Sequence, residues 1–377
     1  MLKTILHRQK YVTKSFKSLS VSVAQLKEEP DKMKAWQVHS FGEELQYCSA
    51  RMPIITKPSE VLVKVEASSV NPIDVLMKDG YGRTFLKLFR WQDLVLPITL
   101  GRDFSGVVID KGHGVGDEYL IGNKVYGVVP FYNQGSHSEN VIVDKAHILQ
   151  QPCAVTHTEA AAVPYAALTA YSALWLTGGL CWKRTKGRKV LIQGASGGVG
   201  TYAVQMLRAV GVTVVGTCST DAVPLVQGLG ADCVLDYRDS DYIRNVCSQG
   251  SYDIVLDCAK IGHQAIPSSW QYTTYISLNS PLLRNTDQYG LVGGLALSAA
   301  DLIPSNLLTI SQGKCVKWAY FYPSTDGLKF IDRLIRNAEL VPMIDQVYRF
   351  NEIPEAFERT KAGHLRGKIV IDMLATT

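Results

Sequence analysis

The stretch KVLIQGASGGVGTYAVQMLRAVG, residues 189–211, decides the fold of the central part of the chain. A short apolar strand runs into Gly194-x-x-Gly197-x-x-Gly200, and a helical pattern begins directly after the last glycine. In such a turn one glycine permits the tight bend, one lets backbone N–H groups approach a pyrophosphate, and one allows close packing of helix on strand. The stretch therefore predicts a dinucleotide site at a helix N-terminus, where the helix dipole favours phosphate. The alternative is an ordinary strand–helix turn; a P-loop is excluded because no Gly-Lys-Ser or Gly-Lys-Thr follows.

The residues around this stretch predict an α/β chain with two kinds of sheet. Five short runs are continuously apolar and are separated by helix-sized spacings, which predicts strands of a parallel sheet buried on both faces. These runs are residues 190–192, 212–215, 233–235, 254–256 and 275–278. Residues 33–150 instead alternate apolar and polar positions, as in EVLVKVEASSV (60–70), which predicts an antiparallel, barrel-like part.

Charge is distributed unevenly along the 377 residues, whose net charge is +5. Residues 1–27 hold six Lys or Arg and no acidic residue, while the rest of the chain holds 33 basic and 34 acidic residues. The remainder therefore lacks the positive excess that nucleic-acid binding requires. The first thirty residues are basic, poor in acids and rich in Ser and Thr, which predicts a mitochondrial transit peptide over 1–30. The alternative is a basic tail without a targeting role.

Neither a structural zinc lobe nor a membrane span is predicted. The eight cysteines are scattered and form no Cys-x-x-Cys pair. The most apolar segment, YGLVGGLALSAADLIP (289–304), is interrupted by glycines, an aspartate and a proline. We therefore expect it to line an apolar pocket or an interface rather than to cross a bilayer.

The end of the strand after the glycine turn indicates which dinucleotide binds. NAD sites place Asp or Glu there to bind the ribose hydroxyls. Here the strand ends in Thr-Cys-Ser (217–219), and the first acid is Asp221. A carboxylate beside a 2′-phosphate would repel it by roughly 4 kcal/mol per charge pair at about 4 Å. The sequence therefore favours NADPH, with Tyr237 and Arg238 adding a phenol and a cation; the alternative is a site indifferent to the 2′-phosphate.

Motifs along most of the chain resemble the medium-chain dehydrogenase/reductase superfamily, in its zinc-free quinone oxidoreductase branch. They are SSVNPIDVLMKDGYG (68–82), LPITLGRDFSGVV (96–108), GNKVYGVVPF (122–131), VPYAALTAYSAL (163–174), GASGGVG (194–200), LGADCVLDYR (229–238) and GHLRGKIVI (363–371). The resemblance covers about residues 33–373. It implies a GroES-like catalytic domain built from 33–158 and 323–377, and a Rossmann NADP-binding domain over 159–322.

The motif GRDFSGVV (101–108) departs from the zinc-dependent members of the superfamily. Those members carry Gly-His-Glu-x-x-Gly at this strand turn, and the His binds catalytic zinc. Here Arg102 and Asp103 replace His and Glu, and a guanidinium has no lone pair to give to a metal. We predict no zinc site and interpret Arg102 and Asp103 as a structural ion pair; the alternative places Arg102 at the substrate mouth. Without a metal to polarise a carbonyl, we expect hydride transfer to an electron-poor quinone or enone.

The resemblance also implies individual site residues. Asn71 and Tyr81 are candidates for hydrogen bonding to the acceptor oxygen, although Asn71 could instead cap the backbone before Pro72. The cofactor contacts carry over onto Ser196, Gly197, Gly198, Val199 and Gly200 at the pyrophosphate, Ser219 and Tyr237 at the 2′-phosphate, and Leu278, His364 and Arg366 at the nicotinamide end.

Together these features predict an NADPH-dependent, zinc-independent oxidoreductase that transfers hydride to a quinone-type acceptor. The motifs GRDFSG, THTEAAAVPYAALTAYSA and GHLRGK resemble those of mitochondrial NADPH oxidoreductases associated with ubiquinone biosynthesis. The resemblance implies a place in the mitochondrial matrix, partners from ubiquinone biosynthesis or of the reticulon type, and a homodimer. Two alternatives stay open: a 2-enoyl-thioester reductase, and a nucleotide-binding scaffold or accessory protein with little turnover.

Overall fold

The fold is that of a computed structural model, which describes residues 32–90, 95–180 and 185–374; the predicted transit peptide, 1–30, lies outside the described residues. The strands are, in chain order, β1 Lys32–Val38, β2 Gln46–Arg51, β3 Glu60–Val70, β4 Ile98–Thr99, β5 Asp103–Lys111, β6 Lys124–Val128, β7 Asn140–Asp144, β8 Ile148–Gln150, β9 Lys189–Gln193, β10 Thr213–Cys218, β11 Cys233–Asp236, β12 Tyr252–Asp257, β13 Tyr272–Ser277, β14 Cys315–Trp318, β15 Ile344–Arg349 and β16 Lys368–Asp372.

The helices are, in the same order, α1 Pro72–Lys78, α2 Arg83–Phe89, α3 His157–Ala161, α4 Pro164–Tyr171, α5 Gly198–Ala209, α6 Val223–Gly228, α7 Tyr242–Ser248, α8 Leu282–Ile310, α9 Thr325–Arg336 and α10 Ile353–Ala362. A π-helical stretch, Ser172–Thr177, continues α4. Short 3-10 turns occur at Lys145–His147, Thr220–Ala222, His263–Ala265 and Phe350–Glu352.

Six parallel strands form the sheet that carries the glycine turn, in the order β11-β10-β9-β12-β13-β14. The chain runs from β9 outward to β10 and β11, and then crosses to β12 on the other side of β9. Ligands of such sheets bind outside the carboxyl ends of the strands, where the strand order reverses. The predicted parallel, Rossmann-type sheet is confirmed, and it places the end of β9 at this reversal.

The central strand β9 is buried on both faces, as its apolar run predicts. Val190 and Ile192 join one core cluster with Tyr202 of α5, whereas Leu191 joins the cluster on the opposite face with Val255. Complete burial of each such side chain stabilises the fold by about 1.5–3 kcal/mol. The prediction is wrong for β11, whose residues are half-buried, because β11 lies at the edge of the sheet.

A second, largely antiparallel sheet joins the two ends of the described chain. Its order is β15-β16-β3-β5-β6-β8, with β7 paired to β3, and β16 pairs with β3 so that Ile371 lies opposite Ser68. A three-stranded sheet, β2-β1-β4, stands beside it. This arrangement is the GroES-like part of the fold, and it brings the last strand against the segment that precedes α1.

The long apolar helix α8 is broken near its beginning. Gly290 has a φ of 73°, and Gly294 lies so close to Thr286 that a Cβ on it would come within 2.4 Å of the Thr286 backbone. Within the described residues, one helical segment, Leu282–Leu307, is long and apolar enough by length and composition to cross a membrane, and most of it is exposed. The expectation that this segment does not cross a bilayer stays a prediction.

Candidate active site

The glycine turn between β9 and α5 has the geometry of a phosphate-binding loop. Gly194 adopts a φ of 78°, and a Cβ on Gly200 would lie 2.3 Å from the Gly194 carbonyl oxygen, so both positions require glycine. Around Gly197, by contrast, a Cβ would find its nearest neighbour 3.5 Å away. Gly197 is also the N-cap of α5, and no side chain caps that helix end. The N-terminal N–H groups of α5 therefore form a cradle suited to a pyrophosphate.

Ser196 lies on this loop and Gly198 and Val199 begin α5, so their contacts with a pyrophosphate stay predictions; Gly198 also lies close to residues 367 and 368. A Cβ on Gly198 would lie 3.3 Å from the Gly367 carbonyl oxygen and 3.5 Å from Cδ of Lys368. The segment before β16 therefore passes over the N-terminus of α5. This crossing brings residues 363–368 to the cofactor cradle.

Arg366 contacts the residues that directly follow β10. The sequence interpretation put it at the nicotinamide end, but its guanidinium donates to Ser219 Oγ at 2.8 Å and to Asp221 Oδ2 at 2.7 Å, both directly after β10. Gly367, with a φ of 117°, bends the chain there, and the long side chain reaches across to β10. Tyr237 is close to this group, since its N–H donates to the Cys218 carbonyl oxygen at 3.1 Å.

Asp221 is held ionised by these contacts. Hydrogen bonds from Ser219 and Arg366 lower the pKa of this exposed carboxyl to about 2. The cluster of Ser219, Asp221 and Arg366 thus combines a buried hydroxyl, a cation and a carboxylate. A dianionic phosphate beside Ser219 would compete with Asp221 for the Arg366 guanidinium.

The two other residues predicted at the nicotinamide end lie at different places. Leu278 directly follows β13, at the carboxyl edge of the sheet, and packs against the main core cluster. His364 is exposed on the loop after α10 and has a φ of 53°, a left-handed conformation. The structure therefore places Leu278 beside the end of β12, where its N–H donates to the Asp257 carbonyl oxygen at 3.4 Å, and leaves His364 on the surface.

Arg102 and Asp103 do not pair with each other, so their interpretation as a mutual ion pair is wrong. Arg102 is completely buried; its Nε lies 3.6 Å from Asp74 Oδ1, and its other nitrogens donate to the carbonyls of Thr99, Pro130 and Asn133. The alternative placement of Arg102 at the substrate mouth is wrong as well, because the side chain is 0% exposed. Burial lowers the pKa of Arg102, and Asp74 opposes that shift. Arg102 lies in the bend before β5 and contacts the Thr99, Pro130 and Asn133 carbonyls, whereas Asp103 begins the strand and contacts Lys368.

Asp103 forms a separate buried network with Lys368 and Asn71. Lys368 Nζ lies 3.0 Å from Asp103 Oδ2 and also donates to Asn71 Oδ1, while Asn71 Nδ2 donates to Asp103 Oδ2 at 2.8 Å. Ser69 donates to the same carboxylate at 2.5 Å. All four side chains are buried, so each charge is matched and hydrogen-bonded, as a dry interior requires.

Asn71 therefore has both ends of its amide engaged by protein. Its backbone N–H also donates to Asp74 Oδ2 at 2.9 Å, where α1 begins. The side chain of Asn71 makes no capping hydrogen bond to the backbone of α1, so the structure does not support the alternative in which Asn71 caps that backbone. A role in contacting the acceptor directly stays a prediction.

Tyr81 lies in the turn between α1 and α2, close to Tyr320 and to the beginning of α8. Burial, together with Tyr320, raises the pKa of its phenol, and the nearby Arg284 partly offsets the shift. Tyr320 in turn shares a 2.5 Å hydrogen bond with Ser280, which follows β13. Tyr81 and Tyr320 thus form a pair of partly buried phenols near the residues that follow β13, and each phenol can donate a hydrogen bond.

Sequence reasoning missed Lys368, Tyr320 and Ser280. Lys368 could have been identified from the sequence, because a lysine at the start of the apolar strand KIVID needs a buried partner. Tyr320 and Ser280 could not, because only the fold brings residues 81, 280 and 320 together. Among the described residues, no group of three or more His, Cys, Asp or Glu side chains is arranged to hold a metal ion.

Comparison with known proteins identifies the family. The Alcohol dehydrogenase GroES-like domain matches residues 57–165, and the Zinc-binding dehydrogenase domain matches residues 229–371. The chain is 42% identical over 364 residues to "NAD(P)H oxidoreductase RTN4IP1, mitochondrial" of Drosophila melanogaster, covering 92% of this chain and 88% of the relative. It is 33% identical to "Reticulon-4-interacting protein 1, mitochondrial" of Caenorhabditis elegans, covering 90% and 94%.

A solved structure agrees with this assignment. The quinone oxidoreductase from Coxiella burnetii superposes with a TM-score of 0.73 at 26% identity, covering 91% of this chain and 100% of that one. The chain therefore belongs to the medium-chain dehydrogenase/reductase superfamily and, within it, to the family of the mitochondrial RTN4IP1 oxidoreductases; it is a mitochondrial oxidoreductase.

Proposed function

We propose that the protein transfers a hydride from NADPH to a quinone-type acceptor without the help of zinc. The observation that carries this proposal is the pair of hydrogen bonds from Arg366 to Ser219 and Asp221 at the end of β10. A cation and a buried hydroxyl at that point suit a 2′-phosphate better than two ribose hydroxyls. The names of the relatives, which specify NAD(P)H, support the same cofactor class.

The residues present fit the cofactor along its length. Gly197 leaves open space where a pyrophosphate would approach the N-terminus of α5. Ser219, Arg366 and Tyr237 would hold the 2′-phosphate, and Leu278 would stand beside the nicotinamide. NADPH supplies the hydride when it is bound. The protein's own task is then to position the acceptor and to exclude water.

We propose that Arg102 and Asp103 are structural and that no catalytic zinc takes part. Arg102 fills the position that a zinc-binding histidine has in other members, and its guanidinium cannot ligate a metal. Its hydrogen bonds to three backbone carbonyls hold the turn before β5 in place. An acceptor that is already electron-poor needs no such metal.

Tyr81 is the proposed donor to the acceptor oxygen. Its raised pKa keeps the phenol protonated at neutral pH, so that it can donate to an oxygen that becomes negative during hydride transfer. Asn71 would support the site indirectly, because its amide is already hydrogen-bonded to Lys368 and Asp103. A protonated Tyr81 would equally serve to protonate the α-carbon of an enoyl thioester, which keeps a 2-enoyl-thioester reductase as the second candidate.

The wider assignments are proposals of the same kind. We propose residues 33–158 and 323–377 as the catalytic domain, 159–322 as the cofactor domain, and the mitochondrial matrix as the site of action. A link to ubiquinone biosynthesis, a homodimer and a reticulon-type partner are proposed from the resemblance, and the name of the worm relative supports the last. The scaffold alternative predicts that a variant unable to bind nucleotide still supports its pathway.

The deciding experiment measures NADPH oxidation by the purified protein with short-chain quinones and, in parallel, with crotonyl-CoA. We expect turnover with the quinones and little with the thioester. The reverse result would favour the enoyl-thioester reductase. No turnover with either acceptor, despite tight NADPH binding, would favour the scaffold.

A further inference from the structure

Helix α8 has its apolar and polar faces reversed relative to an ordinary surface helix. The residues that face the protein include Gly294 and Ser298, both buried, and Asn306, which is half-buried. The residues that face solvent form an apolar stripe at helical spacing, defined as Val292, Leu295, Ala299, Ile303 and Leu307. Val292 is 81% exposed and Leu307 is 66% exposed. A surface helix normally buries its apolar stripe, so this one is built to be covered by something else.

The inner face of α8 is fixed by hydrogen bonds together with the packing of Leu302 against the core cluster that contains Val316. Asn306 donates to the Val316 carbonyl oxygen at 3.0 Å and accepts from the Val316 N–H at 2.9 Å. Asn285 donates to Ser298 Oγ at 3.1 Å. Rotating the helix to bury its leucines would break these hydrogen bonds. The bonds therefore keep the stripe directed towards solvent.

The same contacts cover part of the outer edge of the six-stranded sheet. β14 is the edge strand, and Asn306 occupies both backbone groups of Val316 on its free side. Just before β14, the Lys314 N–H donates to the Thr309 carbonyl oxygen at 3.1 Å. These bonds oppose the pairing of a second copy at Val316, and a second copy docked on the stripe is the alternative that the test separates.

Basic side chains stand at the end of α8 that adjoins the proposed acceptor cleft. Arg284 on α8 and Arg83 and Lys87 on α2 are exposed. The carboxylate of Asp287, between the two helices, accepts hydrogen bonds from the N–H groups of Gly82 at 2.6 Å and Thr84 at 2.9 Å. Exposed cations on α2 and on the part of α8 before the break at Gly290, together with an apolar stripe on the part after it, match the headgroup and acyl layers of an anionic bilayer.

We propose that α8 and the adjoining end of α2 form a docking surface for an anionic lipid bilayer, in which the helix lies in the plane of the headgroups. Gly82, which binds Asp287, directly follows Tyr81, so a docked molecule would hold the mouth of its cleft near the membrane. There an apolar quinone could enter without crossing water. The choice of acceptor rests on the proposed function, whereas docking itself does not.

The test is flotation of the purified full chain with vesicles of phosphatidylcholine alone or mixed with phosphatidylglycerol. We expect the wild type to bind the mixed vesicles. In Val292→Glu/Leu295→Glu this binding should fall by about tenfold or more, because two apolar contacts with the lipid are lost. Lys87→Gln should lower it by about fivefold. Ile54→Glu, which changes an apolar residue 66% exposed on another element, is the matched control and should bind like the wild type. NADPH affinity should be the same in all variants, which shows that they are folded.

Two results would overturn the proposal. One is a wild-type chain that does not float with mixed vesicles. The other is light scattering that shows a dimer which Val292→Glu/Leu295→Glu converts to a monomer, since the stripe would then be an interface between copies. Turnover with a water-soluble quinone should be unchanged in Val292→Glu/Leu295→Glu, and only turnover with a long-chain quinone embedded in vesicles should fall. If the wild type turns over neither quinone, that result counts against the proposed function and does not affect the flotation result.

Discussion

The guanidinium of Arg366 bridges Ser219 and Asp221, joining the loop before β16 to the end of β10 across the mouth of the proposed cofactor site. One side chain thereby links the last part of the chain to the parallel sheet. In the absence of a phosphate the carboxylate of Asp221 is its anionic partner. The first predictions concern what happens when each member of this group is removed.

Replacing Arg366 should discriminate between the two nicotinamide cofactors. Hydrogen bonds to charged groups contribute about 1.5–3 kcal/mol, so Arg366→Ala should weaken NADPH binding by roughly 10- to 100-fold and leave NADH binding nearly unchanged. Titration calorimetry with both cofactors measures this. Lys361→Ala, which removes an exposed cation from α10, is the control. Equal losses for NADPH and NADH would mean that Arg366 does not bind the 2′-phosphate.

Removing the competing carboxylate should have the opposite effect. Asp221→Asn leaves Arg366 without its anionic partner, so we expect NADPH to bind severalfold more tightly. The pKa of Asp221 lies at about 2, so its own charge is constant from pH 5 to pH 8, and the gain should be largest above about pH 6, where the phosphate monoester is dianionic. No gain at pH 8 would show that Asp221 does not compete with the phosphate for Arg366.

Alanine substitutions at two glycines of the turn should have different effects, one on stability and the other on NADPH binding. Gly200→Ala would put a Cβ 2.3 Å from the Gly194 carbonyl oxygen, so it should lower the melting temperature. Gly197→Ala has room in the folded protein but would occupy the space of a bound pyrophosphate, so it should fold normally and bind NADPH at least about tenfold more weakly. Normal NADPH binding by Gly197→Ala would place the cofactor elsewhere.

The buried ion pair of Lys368 and Asp103 should be costly to break from one side. Lys368→Met leaves the Asp103 carboxylate buried without its cation, which should destabilise the fold by about 3–5 kcal/mol. The double variant Lys368→Met/Asp103→Asn removes both charges and should recover a large part of that loss. Urea unfolding of the two variants gives the comparison. Additive losses in the double variant would refute the coupling.

Tyr81→Phe tests the proposed donor. Loss of a hydrogen bond made to developing charge should lower kcat for short-chain quinones by about 10- to 100-fold, with NADPH affinity unchanged. Tyr289→Phe, at an exposed tyrosine of α8, should turn over like the wild type. Unchanged kcat in Tyr81→Phe would remove this residue from the mechanism.

Buried His137 should make the protein less stable in mild acid. Burial lowers the pKa of its imidazole, and its Nε2 lies 3.1 Å from the Ser69 carbonyl oxygen, so the folded protein keeps it neutral. As pH falls below about 6.5, the unfolded chain binds a proton that the folded chain does not, and the free energy of unfolding decreases. Melting curves between pH 5 and pH 7.5 should show this decline. His137→Gln, though less stable overall, should show a weaker dependence on pH.

The sequence allowed the parallel sheet and its glycine turn to be predicted because both depend on local patterns. Continuous apolar runs gave β9, β10, β12 and β13, and the spacing of Gly194, Gly197 and Gly200 gave the turn into α5. The edge position of β11 could not be seen, because strand order depends on contacts between distant segments. The partners of Arg102 and Asp103 were also out of reach, since Asp74 and Lys368 lie far from them along the chain. The same holds for Arg366, which is far from Ser219 along the chain and contacts it only in the folded protein.

Lys368 joins three regions that lie far apart along the chain. Its Nζ binds Asn71 and Asp103, and its side chain lies near the position of a Cβ on Gly198. These contacts require β16 to be paired with β3, so detachment of this one strand would at once unpair the Asp103 carboxylate and uncover the N-terminus of α5.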